Sequence, residues 1–156
     1  MSAEKPAILF VCLGNICRSP LAEGAMRHVA ARAGVALRVD SAGTGDWHVG
    51  EPPDRRAQAV AARHGVDISD LRGRQVTALD FRYFTHVVAL DRRNLADLEA
   101  IRPKDGGARL SLLLDHVPGR EGQAVADPYY GDTAGFEVTW AEVMAGAEGL
   151  LRLIRA

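Results

Sequence analysis

The residues able to do chemistry are concentrated in one run, VCLGNICRSP, at positions 11–20. It holds Cys12 and Cys17, the two cysteines of this 156-residue chain, followed at once by Arg18 and Ser19. Five residues separate Cys12 from Arg18. Gly14 and Asn15 both tolerate positive φ, so the intervening backbone is expected to curl instead of extending. The N–H groups of Leu13, Gly14, Asn15, Ile16, Cys17 and Arg18 then converge on one point, with Ser19 closing the loop. Such a nest at the start of a helix binds a tetrahedral oxyanion. The Arg18 guanidinium adds a fork that spans two of its oxygens. Cys12 lies at the base of the cradle, where the same positive field favours the thiolate, the nucleophilic form of cysteine. The Ser19 hydroxyl is placed to donate to that sulfur and ease its later departure. The chemistry implied is in-line attack of sulfur on phosphorus. A lone buried cysteine usually only packs, but a cysteine, five residues, Arg-Ser, with Gly-Asn inside, is far more specific.

A strand and a helix must position this loop. The apolar run 6–11 (PAILFV) predicts a strand buried on both faces. Ser19 as cap and Pro20 at the first helical position predict a helix start. Leu21, Ala25 and Val29 share one face of that helix, and Gly34 is its stop signal. Further strands are predicted over 37–42, 86–90 and 110–114. Helices are predicted over 54–64, ending at Gly65, and from an Asp91 cap through Ile101, stopped by Pro103. Phe136, Trp140, Val143, Ala147, Leu150 and Ile154 mark one face of a long C-terminal helix. Strands alternating with helices predict an α/β fold: one domain over 1–156, a three-layer sandwich of Rossmann-like type, with a four-stranded parallel sheet and helices on both faces. Such sheets carry their sites at the carboxyl ends of the strands, where the cysteine loop falls. Two long loops, 46–54 and 117–133, are further candidates for the site.

Composition narrows the function. The chain is 47% hydrophobic and 25% charged, with a net charge of −1. No overall field draws it to nucleic acid or an anionic membrane, so neither is expected as a partner. With no leader or spanning segment in view and two cysteines, a cytoplasmic protein with reduced thiols is expected. The histidines, His28, His48, His64, His86 and His116, are scattered and read as surface or structural residues. Zinc wants four ligands, so neither a metal nor another cofactor is expected.

Phosphoryl transfer from an ester also needs a proton for the leaving oxygen. Asp127, in the run DPYYGD, is the candidate. It follows the fourth strand in a long loop, and Pro128 confines its backbone to extended conformations, which aims the carboxyl group. By itself Asp-Pro-x-x-Gly also reads as a surface turn. Asp132 reads as helping to start the last helix. Trp47, Tyr129 and Tyr130 lie in the two long loops and are candidates for apolar walls, with Leu13 and Ile16 at the rim of the cradle.

The ordered set of VCLGNICRSP, DSAGT at 40–44, WHVG at 47–50, PDRRA at 53–57 and DPYY at 127–130 resembles the low molecular weight protein tyrosine phosphatases over nearly the whole chain. The resemblance implies their phosphatase fold and a protein tyrosine phosphatase acting through a cysteinyl-phosphate without metal. It assigns the nucleophile to Cys12, oxyanion binding to Arg18 and the cradle, and the general acid, later the base for water, to Asp127. It places Trp47 and Tyr129 beside the phosphotyrosine ring. Ser41 is implied as the support of Asn15, and His64 as a further member of that network. Related arginine phosphatases carry threonine where Ile16 stands, which favours tyrosine over arginine here. Cys17 is a candidate partner that traps oxidised Cys12 as a disulfide; the alternative is a small packing residue. Phosphotyrosine proteins or peptides are the expected substrates, inorganic phosphate the product and inhibitor, and a monomer the expected state. The alternatives are an arginine phosphatase, an arsenate reductase of the same fold, and a noncatalytic phosphate-binding module. The reductase needs further cysteines to relay a disulfide outward.

Overall fold

The computed structural model describes residues 5–155. Its sheet has four parallel strands in the order β2-β1-β3-β4. Strand β1 (Ala7–Cys12) is buried along its whole length, as its unbroken apolar run predicts. β2 (Arg38–Gly43) and β3 (His86–Ala89) flank it, and β4 (Arg109–Leu112) forms an edge. Alternate β1 side chains feed two cores. Ile8 and Phe10 pack with α1 (Arg18–Ala33) and α5 (Thr133–Arg155), while Leu9 and Val11 pack with Phe81, Phe84 and Leu98. Those last three come from or follow α3 (Asp80–Tyr83) and α4 (Arg92–Ile101). Each large apolar side chain buried this way contributes about 1.5–3 kcal/mol, so the two cores fix β1, and with it Cys12.

The three-layer α/β sandwich read from the sequence is the observed fold. The helix predicted over 54–64 is α2 (Arg55–Arg63), capped by Asp54, whose side chain accepts from the Arg56 N–H at 2.8 Å. The fourth strand is shorter than predicted: after Leu112 the chain tightens into a 3₁₀ turn, Leu113–His116. The start of α1 also differs. Cys17 occupies the cap position, with no side-chain cap bond, and Ser19 lies inside the helix with its hydroxyl turned toward Cys12. The four-residue α3 was not predicted, because one turn carries no periodicity. Nor was a parallel bridge between Gly43 and Gln75, which lays the segment around Arg74 beside the end of β2. Gly43 is required there: a Cβ would lie 2.8 Å from the Leu13 carbonyl oxygen.

Candidate active site

β1 ends in Cys12, and the next residues curl over its end before α1 begins. Asn15, at φ +59°, is the non-glycine residue in the left-handed region among the described residues. Gly14, expected there too, is not left-handed; its missing Cβ instead makes room for the His48 ring, which a methyl group would meet at 3.2 Å. The left-handed conformation costs an ordinary residue about 1–2 kcal/mol. Three hydrogen bonds, two of them buried, hold Asn15 in it. Its Nδ2 donates to Ser19 Oγ at 2.7 Å and Ser41 Oγ at 3.0 Å, and its Oδ1 accepts from the Arg74 N–H at 3.0 Å. At about 1 kcal/mol each these bonds offset the strain.

The Cys12 sulfur accepts from the Asn15 N–H at 3.3 Å and lies 3.0 Å from Ser19 Oγ. Ser19 Oγ already accepts from the Asn15 amide, so its own hydrogen is free for the sulfur. The competing acceptor, the Ala42 carbonyl, is farther away at 3.4 Å. Ser41 donates in turn to Glu23 Oε1 at 2.8 Å. Glu23, which the sequence reading missed, is buried in α1, and its other oxygen accepts from Arg27 at 2.7 and 3.0 Å. Burial raises its pKa, and the hydrogen bonds from Arg27 and Ser41 oppose that rise. His64, expected in this network, is not part of it. It ends α2 against α5, where its ring stacks on Trp140 at 5.2 Å and its Nε2 lies 2.8 Å from Glu137 Oε1.

Arg18 is buried in spite of its charge. Its Nη1 donates to Asp91 Oδ2 at 2.9 Å and to the Val125 carbonyl at 3.2 Å. The other Asp91 oxygen accepts from the Asn94 N–H at 2.7 Å and caps α4. One carboxylate thus starts a helix and aims a guanidinium; the sequence disclosed only the first role. Pinning Nη1 leaves Nη2 and Nε of the fork for an anion. Nη2 lies 3.7 Å from Asp127 Oδ2.

Asp127 is half exposed, and its Oδ1 accepts from the Tyr129 N–H at 3.1 Å. Its loop is pinned on both sides. Before it, the Val125 N–H donates to the Leu90 carbonyl at 2.8 Å and the Ala126 N–H to Glu142 at 2.9 Å. After it, Arg56 donates to the carbonyls of Tyr129 at 2.9 Å and Gly131 at 3.2 Å, while its guanidinium lies over the Tyr129 and Phe136 rings. Asp132 serves the helix as expected: its Oδ1 accepts from the Gly135 N–H at 3.1 Å.

These groups surround a cavity of about 240 Å³. Cys12, Leu13, Gly14, Ile16, Cys17, Arg18, Trp47, Asp127, Tyr129 and Tyr130, all read as site residues, line it. Asn15, Ser19 and Ser41 stand behind the wall. His48 also lines the cavity and was passed over in the sequence, although it falls inside the WHVG run. The Tyr129 and Tyr130 rings meet edge to face at 4.9 Å, and Trp47 is 65% exposed at the rim. Cys17 is buried; burial first, then the proximity of Asp54, Cys12 and Asp127, raise its pKa, so it stands as a neutral thiol. A sulfur that accepts from the Asn15 amide, with a guanidinium and a carboxyl group at one mouth, has the parts for two-step phosphoryl transfer. Among the described residues, no three His, Cys, Asp or Glu side chains are grouped to hold a metal.

The family model for low molecular weight phosphotyrosine protein phosphatases matches residues 7–156. The chain is 38% identical over 151 residues to the low molecular weight protein-tyrosine-phosphatase YfkJ of Bacillus subtilis, covering 96% of each chain. Its fold is similar to a protein tyrosine phosphatase from Entamoeba histolytica crystallised with Hepes in the active site. There the TM-score is 0.91, with 31% identity and 97% of each chain covered. It is also similar to a Drosophila arginine phosphatase, at TM-score 0.89 and 31% identity, covering 96% of this chain and 98% of that one. The chain belongs to the low molecular weight phosphotyrosine protein phosphatase family.

Proposed function

We propose that this member of the family dephosphorylates phosphotyrosine in proteins or peptides by two in-line displacements, with Cys12, Arg18 and Asp127 as the reacting set. The Cys12 sulfur attacks phosphorus while Arg18 and the amides of residues 13–19 hold the equatorial oxygens. The bond to the phenolic oxygen breaks, and Asp127 protonates that oxygen as it leaves. Water then attacks the cysteinyl-phosphate. Asp127, now a carboxylate, takes its proton, and the sulfur departs with the Ser19 hydroxyl donating to it. Inorganic phosphate is released and competes for the same cradle. Leu13, Ile16, Trp47, Tyr129 and Tyr130 form the slot for the ring. The observation that carries this reading is the Cys12 sulfur at the cavity floor, 3.3 Å from the Asn15 amide and 3.0 Å from Ser19 Oγ. The guanidinium and the carboxyl group then supply the charge and the proton that the transfer requires, so no metal or cofactor is needed. The test is release of p-nitrophenol from p-nitrophenyl phosphate by the wild type and not by Cys12→Ser. Phosphate binding without turnover by the wild type would favour a noncatalytic module.

Tyrosine is preferred over arginine because Ile16, bulky and β-branched, narrows the slot. A panel of phosphotyrosine, phosphoserine and phosphoarginine peptides decides this, and the Drosophila neighbour makes phosphoarginine the informative member. Arsenate reduction is disfavoured, since both cysteines of the chain lie in the cradle and none is left to relay a disulfide. The two also suggest protection against oxidation. Peroxide converts Cys12 to a sulfenic acid; the Cys17 thiol then displaces water to form a disulfide, which an external dithiol reduces. Recovery of activity after peroxide should be lost in Cys17→Ser; equal recovery removes the role. We take the protein to act as a cytoplasmic monomer, without nucleic acid or membrane. Among the described residues no helix is long and apolar enough to cross a membrane.

A further inference from the structure

A second cavity of about 390 Å³ adjoins the active site, and no step of the chemistry above uses it. Leu13 and Trp47 wall both cavities. Beyond them Val76 and Ile101 supply apolar lining, and Arg93 and Asp97 border it from α4. Leu13, Trp47 and Ile101 are 42%, 65% and 38% exposed, an apolar strip that a partner would cover. The ion pairs at the ends of α4 belong to Asp91 with Arg18 and to Glu99 with Arg102. Arg93 and Asp97, both exposed and one turn apart, make none among the described residues.

A phosphotyrosine in a protein brings its main chain with it, and that chain must leave the slot across the rim. Leaving over Leu13 and Trp47, it enters the second cavity directly. Arg93 then comes first: it sits in the opening turn of α4, two residues past the Asp91 that holds Arg18. Asp97 lies a turn farther off. The acidic group at that helix start, the Asp91 cap, is already engaged by Arg18 and the Asn94 N–H, so among the described residues Arg93 is the unpaired charge at that end of the cavity. We propose that this cavity is a docking subsite for the polypeptide flanking the phosphotyrosine, where Arg93 reads an acidic side chain near the phosphorylated residue. The proposal rests on the phosphotyrosine reading of the first cavity.

The test compares two fluorescent phosphotyrosyl peptides, identical except for glutamate or lysine on both sides of the phosphotyrosine. Their binding to Cys12→Ser is measured by fluorescence anisotropy. Cys12→Ser should prefer the glutamate peptide, and adding Arg93→Glu should shrink the preference by about fivefold, the upper range for an exposed charge pair. Arg109→Glu makes the same charge change at the start of β4, the far end of the sheet, and should leave the preference alone. An equal loss in both variants, or no binding of either peptide, overturns the proposal. So does self-association that Arg93→Glu abolishes, which would give the cavity to a second copy of the chain. Turnover of p-nitrophenyl phosphate by the wild type separately tests the phosphatase reading, so the two failures are distinguishable.

Discussion

Two loops meet over the Cys12 sulfur, and they are built on opposite plans. The cradle is buried and bonded behind its rim: Asn15 is 3% exposed, its amide makes three hydrogen bonds, and Arg18 is locked by Asp91. The acid loop is held at its ends and open between them, with the Asp127 side chain 51% exposed and Tyr130 95% exposed. The tetrahedral oxyanion has one shape in every substrate, and fixed dipoles stabilise it without reorganising. The leaving group differs between substrates, so the carboxyl group that meets it sits on a loop with little packing to restrain it. The contrast separates what substitutions should do: apart from loss of the Cys12 nucleophile itself, changes to the residues that shape the cradle cost phosphate binding and stability, and acid-loop changes cost chiefly turnover.

The largest effect expected is from Cys12→Ser, which removes the nucleophile and should cut turnover by several orders of magnitude with phosphate binding retained. Asp127→Ala comes next. General acid catalysis contributes about 10²–10⁴-fold, and the loss should grow as the leaving group of an aryl phosphate series becomes more basic. An equal loss across the series would count against Asp127 as the acid. Inorganic phosphate should still inhibit that variant at least as well, since Asp91 continues to hold Arg18 and the loss of the Asp127 carboxylate frees Nη2 for the anion.

Asn15→Ala attacks the other loop. It places a Cβ without a local hydrogen-bonding group in the left-handed region and leaves the Arg74 N–H without its acceptor. About 2 kcal/mol or more of stability should be lost in urea unfolding, together with weaker phosphate inhibition. Asn15→Gly sharpens the test. It restores the backbone but not the bonds, so full recovery would assign the cradle to φ alone. Arg56→Gln should have a smaller effect. It loosens the exit of the acid loop by weakening the hold on the Tyr129 and Gly131 carbonyls. Turnover should fall by about tenfold or less, from imperfect placement of Asp127, with phosphate inhibition intact.

The cradle was legible because it is local. Seven consecutive residues fix its curl, and their types announce it before any contact is known. Its supports were not legible, because they come from far along the chain. Asp91 is 73 residues from Arg18, and Arg74 is 59 from Asn15. A sequence shows that Asp91 can cap a helix, but not that its second oxygen faces a guanidinium. Ser41 was assigned through family resemblance, and the same route misplaced His64, whose helix end turns toward α5 instead. Arg56 looked like any arginine in the first turn of an amphipathic helix. Ser19-Pro20 carried a strong helix-start signal, but a serine whose hydroxyl is engaged by a sulfur and an amide cannot also cap.

The smallest effect lies behind the cradle, at Glu23, and its sign is the informative part. Two influences oppose each other there. Burial disfavours the anion, whereas Arg27 and Ser41 hydrogen-bond to it. The Arg27 side chain is 56% exposed, so water screens its attraction, and burial prevails. The folded chain therefore holds the Glu23 proton more tightly than the unfolded chain, above the ordinary value of 4.5. Stability from this source is complete below pH 4.5 and is lost as pH rises through the folded value. Glu23→Gln cannot titrate, and subtracting its stability from that of the wild type cancels the carboxylates that shift the other way, such as Asp54. Measured by urea unfolding at successive pH values, the difference should fall as pH rises above 4.5 and then level off. A rise instead would mean that the Arg27 pair outweighs burial and that the cradle rests on a buried anion. Turnover should change least of all in this variant, because two hydroxyls and an amide stand between Glu23 and the sulfur.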